Sequence, residues 1–156
     1  MIRSLRRLAP LGIAVILALA LAHNSRSETF RVPGQKVTIR SAVNVASDRD
    51  TVLVSPGTYY ETLNYLGKQV MVLSEFGPQV TTLMPADQFG PLGTWISGET
   101  RGAILDGFTI TGYNVNSPGD TVAMFEMNKL SSPLIKNCII HDNHGVTIAR
   151  IMDDGP

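Results

Sequence analysis

The chain has 156 residues, 44% of them apolar and 17% charged, with 13 basic and 13 acidic side chains. A chain of this length and composition suits one domain with one hydrophobic core. The balanced charge gives no electrostatic reason to expect nucleic acid or an anionic membrane as a partner.

The first 22 residues have the parts of a secretory signal peptide. A basic stretch over residues 1–7 precedes an apolar run over residues 8–22, which is shorter than the ~20 residues that a spanning helix needs. The run ends in Ala20-Leu21-Ala22, which suits cleavage before His23. We therefore expect a mature protein that is secreted or held at the cell surface, with no membrane segment after cleavage.

A polar linker over residues 23–35 leads into a domain that we assign to residues 36–156. Between residues 38 and 48, apolar side chains recur at the i, i+3, i+4, i+7 spacing of a helix. They are Ile39, Ala42, Val43 and Ala46. Because β-rich segments follow, the pattern predicts one short helix that caps an array of strands.

Short β-rich runs, bounded by Pro, Gly or Asp, fill the rest of the domain. They are residues 51–54, 69–73, 80–83, 94–97, 103–105, 108–111, 122–127, 134–140 and 146–151. The Asn-Gly signals of tight hairpins are absent, and Trp95-Ile96, Met124-Phe125 and Thr147-Ile148 recur at the ~20 to 30-residue spacing of repeat proteins. This pattern predicts an all-β solenoid. We expect twelve of its apolar residues to be mostly buried: Ile39, Val43, Val52, Val54, Val70, Val72, Ile104, Phe108, Ile110, Phe125, Ile135 and Ile139.

Several motifs resemble those of pectin-lyase-like proteins. They are Asp50-Thr51-Val52-Leu53-Val54-Ser55-Pro56-Gly57-Thr58-Tyr59-Tyr60-Glu61, Ile104-Leu105-Asp106-Gly107-Phe108-Thr109-Ile110-Thr111-Gly112 and Ser132-Pro133-Leu134-Ile135-Lys136-Asn137-Cys138-Ile139-Ile140. The resemblance implies a right-handed parallel β-helix with a short N-terminal capping helix. Such proteins continue for several more coils, so we expect this one to be incomplete at its C-terminus. Glu61 is expected to pair with nearby backbone or with Lys68.

The resemblance also implies where a site would lie, because family enzymes carry carboxylates, calcium and a basic residue on one outer strand face. Side chains alternate between the two faces of a strand. If Ile96, Phe125 and Ile148 point inward, Trp95 and Glu126 point to that outer face. The face then offers one carboxylate, whereas glycoside hydrolysis generally uses two, roughly 5 to 9 Å apart. We predict an exported, non-catalytic module that is held at the cell surface or associated with carbohydrate, and in which Trp95 and Glu126 bind a neutral or weakly charged glycan. The alternatives are the N-terminal fragment of a polysaccharide lyase or glycoside hydrolase, and an adhesin-like stalk.

Other candidate sites are weak. His141, Asp142 and His144 lie in one predicted turn, but zinc needs three or four ligands in closed geometry and calcium needs six or more oxygens, so this local run is insufficient alone and we predict no metal and no cofactor. Cys138, the single cysteine, lies in a predicted buried strand and is assigned to the core rather than to catalysis. No polar cap follows residue 146, which predicts self-association through an uncapped C-terminal coil.

The signal-peptide assignment is tested by the N-terminus of the exported protein. We expect Edman sequencing or intact mass to show that the exported chain begins at His23, because the apolar run ends there in small residues. An exported chain that retains residues 1–22 would contradict the assignment.

Overall fold

The computed structural model describes residues 26–116 and 122–152. The predicted signal peptide, residues 1–22, therefore lies outside the described residues. Of the part that the structure describes, no helix has the length and apolar character needed to cross a bilayer.

The described residues form thirteen short strands and one helix. The helix, α1, is Ile39–Val45. The strands are β1 Thr29–Val32, β2 Thr51–Val54, β3 Gly57–Glu61, β4 Leu63–Asn64, β5 Met71–Ser74, β6 Thr81–Pro85, β7 Gly93–Trp95, β8 Ile104–Asp106, β9 Thr109–Ile110, β10 Val122–Asn128, β11 Leu134–Lys136, β12 Ile139–Ile140 and β13 Val146–Met152.

Three parallel sheets contain all of these strands. Sheet A has the order β1-β2-β5-β8-β11, sheet B the order β3-β6-β9-β12 and sheet C the order β4-β7-β10-β13. From β2 onward the chain therefore visits sheets A, B and C in a repeating order, and each strand pairs with the strand three positions later. The all-β prediction is confirmed at this level, since parallel sheets dominate and one short helix accompanies them.

Several element boundaries differ from the sequence-based expectation. Strand β1 lies inside the predicted linker and pairs in parallel with β2. Strands β3 and β4 follow the Ser55-Pro56 turn, where no strand was predicted. The predicted run over residues 134–140 is divided into β11 and β12 at Asn137, whose φ of 51° lies in the left-handed region that Asn tolerates better than most residues.

The core consists of side chains that stack from one strand to the next. In sheet A the aligned positions are Phe30, Val52, Val72, Leu105 and Ile135. Val52, Val72 and Leu105 are fully buried there. Nine of the twelve residues expected in the core are buried: Ile39, Val43, Val52, Val54, Val70, Val72, Phe108, Ile110 and Phe125.

The other three expected core residues are more exposed. Ile104 is half-buried because Leu105, its neighbour in β8, takes the inward position. Ile135 is half-buried and Ile139 is 37% exposed. Ile135 lies in the last strand of sheet A, so no later strand within the described residues covers it. Ile139 aligns with Thr109 on the outward face of sheet B, because its neighbour Ile140 aligns with the buried Ile110 and takes the inward position.

Helix α1 covers the N-terminal end of this core, as predicted. Thr38 is its N-cap, and the Thr38 and Ser41 side chains form a capping box. The helix buries Ile39, Ala42 and Val43 and contacts β1, β2 and β4.

Charged side chains hold both ends of α1. The Glu61 carboxylate, in a side chain that is 6% exposed, accepts hydrogen bonds from the Ile39 and Arg40 amides at 2.8 and 2.9 Å. At the other end, Lys68 Nζ donates to the carbonyls of Val43 and Asn44 at 2.9 and 2.8 Å. Both charges have the sign that the helix dipole favours at their end. The prediction that Glu61 pairs with backbone is confirmed.

Replacing Glu61 should release the helix from the strands. Glu61→Ala leaves two largely buried amides without an acceptor, and we expect the free energy of unfolding to fall by about 3 kcal/mol in urea titrations. Glu75→Ala is the control, because Glu75 pairs with the exposed Arg31 at 3.0 Å and such pairs contribute ~0 to 1 kcal/mol. Equal effects of the two variants would contradict the structural role of Glu61.

Candidate functional site

Trp95, predicted to face outward, is fully buried. In sheet C, Gly93 aligns with Phe125 and Trp95 aligns with Met127. Trp95 therefore shares the inward face with Phe125. The alternation assumed from the sequence had turned Ile96 to that face instead. A one-residue error of this kind reverses every side chain of a strand. The predicted outward orientation of Trp95 is wrong, and its indole cannot stack on a sugar at the surface.

The space for the indole comes from Gly93. A Cβ atom at position 93 would lie 2.7 Å from Trp95 Cη2 and 3.2 Å from Phe125 Cδ1. The Trp95 ring also packs on Tyr65 and Phe125, with centroid separations of 5.1 and 5.6 Å. Trp95 is thus the centre of an aromatic cluster inside the core.

Glu126, the second predicted glycan contact, does face outward, but it does not lie beside Trp95. It aligns with Thr94 on one side and Arg150 on the other. Its carboxylate forms an ion pair with the Arg150 guanidinium. Trp95 and Glu126 therefore point to opposite faces of sheet C, and the structure does not bring them into one site.

A fully buried carboxylate, that of Glu99, organises the turn between sheets C and A. It accepts hydrogen bonds from the backbone amides of Gly67 and Ser97 at 2.8 and 2.9 Å, and from the Ser131 hydroxyl at 3.1 Å. A carboxylate with three donors in a buried turn satisfies backbone groups that would otherwise lack partners. Its contacts are those of a structural residue.

Other acidic side chains are engaged in the same way. Asp50 accepts from the amides of Glu28 and Ser47, Glu75 pairs with Arg31, and Asp106 pairs with Lys136 and accepts from Asn137. These contacts, like those of Glu99, are with backbone amides and with basic, amide or hydroxyl side chains of the fold.

A pocket of about 210 Å³ lies at the C-terminal end of the described chain, between β10, β12, β13 and the turn that follows β12. His141 Nδ1 and Asp142 Oδ2, 2.8 Å apart, lie at its wall. The residues that line it carry no hydroxyl or thiol group. Among the described residues, no three His, Cys, Asp or Glu side chains are grouped to hold a metal ion.

Cys138 is partly buried against the core. Its Sγ lies 3.2 Å from the Lys136 carbonyl oxygen. Burial raises the pKa of the Cys138 thiol, which keeps the sulfur protonated and weakly nucleophilic.

The outward face of sheet B carries features that the sequence analysis missed. Thr58, Thr82 and Thr109 align across β3, β6 and β9, and Tyr60 aligns with Met84. Tyr60 is 66% exposed. The signal was the alternation within residues 58–61, which were not included among the predicted β-rich runs.

No family model, curated protein or solved structure matches this chain.

The packing of Trp95 on Gly93 predicts a large effect for a small substitution. Gly93→Ala places a methyl group in the space of the indole, so we expect a loss of ~1 to 3 kcal/mol in stability and an altered Trp95 emission spectrum. Gly34→Ala is the matched control, since the nearest atom to its added Cβ is 3.8 Å away. An unchanged stability and spectrum for Gly93→Ala would show that the indole does not occupy this space.

Proposed function

We propose that the described residues form the helix-capped start of a right-handed parallel β-helix. The support is the repeating A, B, C order of the sheets and the in-register parallel pairing from β1 to β13. Right-handed winding follows from the strong preference of parallel crossover connections for that hand. The motifs that resemble pectin-lyase-like proteins support the same fold.

We further propose that this β-helix is an exported, non-catalytic surface module. The observation that carries the proposal is the engagement of the acidic side chains, with Glu61, Glu99 and Asp50 holding backbone amides. A lyase or hydrolase fragment is the alternative, and it would need acidic groups free to exchange protons with a substrate. A stalk with no small ligand is compatible with the same contacts.

A second function, recognition of a neutral polysaccharide, is favoured by the outward face of sheet B. The exposed Tyr60 ring offers an apolar surface on which a sugar ring can stack. The aligned hydroxyls of Thr58, Thr82 and Thr109 lie on the same side of the sheet, at the spacing of about 4.8 Å that separates neighbouring strands. The described strands of sheet B turn no charged side chain to this face, so a neutral glycan suits it better than an acidic one.

Binding and cleavage can be tested together. The purified chain is incubated with insoluble neutral polysaccharides, and both the protein depleted from solution and the reducing ends or unsaturated products released are measured. We expect depletion without release, and at least ~10-fold weaker binding for Tyr60→Ala, since a good stacking contact contributes about 1.4 kcal/mol.

Phe89→Ala is the control for that experiment, because Phe89 is 64% exposed but lies in a loop outside the strands. Equal binding by Tyr60→Ala and the unsubstituted chain would remove the sheet B face as the site. Release of products would overturn the non-catalytic proposal and favour the enzyme.

A further inference from the structure

The first two strands of sheet B each turn one apolar side chain and one hydroxyl to the outward face. In β3 these are Tyr60 and Thr58, and in β6 they are Met84 and Thr82. The register aligns Thr58 with Thr82 and Tyr60 with Met84, so the same pair recurs at the strand spacing of about 4.8 Å. We call these four side chains the sheet B platform.

The hydroxyls of the platform are available to a ligand. Those of Thr58 and Thr82 form no hydrogen bond with another described residue, and each is therefore free to donate and to accept. In the next strand, β9, the Thr109 hydroxyl already donates to the Pro78 carbonyl at 2.7 Å. Thr111, which follows β9 directly, has a free and partly exposed hydroxyl. The third strand thus adds a free hydroxyl beyond the platform.

Met84 extends the apolar part of the platform toward that third strand. A Cβ atom at position 112 would overlap Met84 Cε, so the end of the thioether lies against Gly112, just beyond β9. The apolar surface therefore runs across the strands, from the Tyr60 ring over β6 to the end of β9.

We infer that this face binds an extended, unbranched glycan of the β-1,4-linked class, with its chain running across the strands. The inference rests on the recognition of a neutral polysaccharide proposed above. A pyranose ring whose substituents are equatorial has an apolar face of C–H groups and a rim of hydroxyls. One apolar side chain beside one free hydroxyl, as β3 and β6 each provide, complements such a ring.

The register sets the direction of the bound chain. Within β3, Tyr60 and Thr58 suit one ring, and the same pair recurs only on the neighbouring strand. The rise per ring of an extended β-1,4-linked chain is close to the strand spacing, so successive rings lie over β3 and β6, and a third reaches Thr111. An α-1,4-linked chain coils, and its successive rings turn away from a flat face.

Oligosaccharides of defined length and linkage test the inference. In calorimetric titrations of the purified chain with β-1,4-linked gluco-oligosaccharides, we expect the third ring to raise the affinity by ~2 to 10-fold, because one added hydrogen bond is worth about that factor. Further rings should add little, because Ile139 aligns with Thr109 and interrupts the row of hydroxyls. The α-1,4-linked oligosaccharides of equal length should bind at least ~10-fold more weakly.

Two substitutions test the direction of the chain. Thr82→Val removes the hydroxyl of the second strand and should weaken binding of the β-1,4-linked trisaccharide by ~2 to 10-fold. Thr111→Val should weaken binding of the trisaccharide and leave that of the disaccharide unchanged. Thr51→Val is the matched control, because Thr51 lies on the outward face of sheet A, where its neighbour Val52 takes the inward position. All three positions are partly exposed, so the far-UV circular dichroism should not change.

The outcomes separate this inference from the function on which it rests. Binding that needs Tyr60 but is equal for the two linkages, or is unchanged by Thr82→Val, would overturn the extended chain and leave recognition of a neutral glycan intact. Depletion by insoluble polysaccharide without binding of any oligosaccharide would also overturn the extended chain alone. No binding of either kind of ligand would overturn both.

Discussion

Each apolar side chain inside this fold is covered by the strands directly before and after it in its sheet. Val72 lies between Val52 and Leu105 and is fully buried, whereas Phe30 and Ile135, at the two ends of the same column, are only partly buried. Burial in such a stack depends on neighbours within each sheet and much less on the overall size of the domain. The first and last strands of each sheet have a neighbour on one side only, so their apolar side chains are the hardest to bury.

At the N-terminal end the constraint is met by α1, which is too short to be stable as an isolated helix. Its stability comes from the apolar residues it buries and from two charged contacts, with Glu61 at its first amides and Lys68 at its last carbonyls. Glu61 is the last residue of β3 in sheet B, and Lys68 lies between β4 in sheet C and β5 in sheet A. The helix is therefore held by the first passage of the chain through the three sheets. The cap and the first layer of strands should therefore form together.

The sequence was sufficient to predict the kinds of element in the structure, but it did not determine which side chains of the short strands face inward. The helix was predictable because Ile39, Ala42 and Val43 follow a 3.6-residue period, and the strand over residues 51–54 was predictable because it alternates between two turns. Strand β1 was missed because Thr29–Val32 is only four residues long and lies within the segment assigned to the linker, and its partner β2 lies across a helix in the chain. Two- and three-residue strands give too few positions to fix an alternation, so the inward face of β7 depended on which residue of β10 lies opposite.

Trp95 illustrates why the assignment of inward-facing residues decided the functional prediction. Its indole N–H is buried and, in the described structure, lacks a hydrogen-bond partner, which opposes folding by ~1 to 3 kcal/mol. The ring nevertheless fills the space left by Gly93 and packs on Tyr65 and Phe125, and burial of so large an apolar surface outweighs the unpaired N–H. A rare aromatic residue in a short strand can thus belong wholly to the core. The aromatic ring available to a ligand is that of Tyr60, on the outward face of a strand whose neighbours in the sheet are threonine and methionine. Local hydrophobicity does not distinguish the two residues, whereas the strand register does.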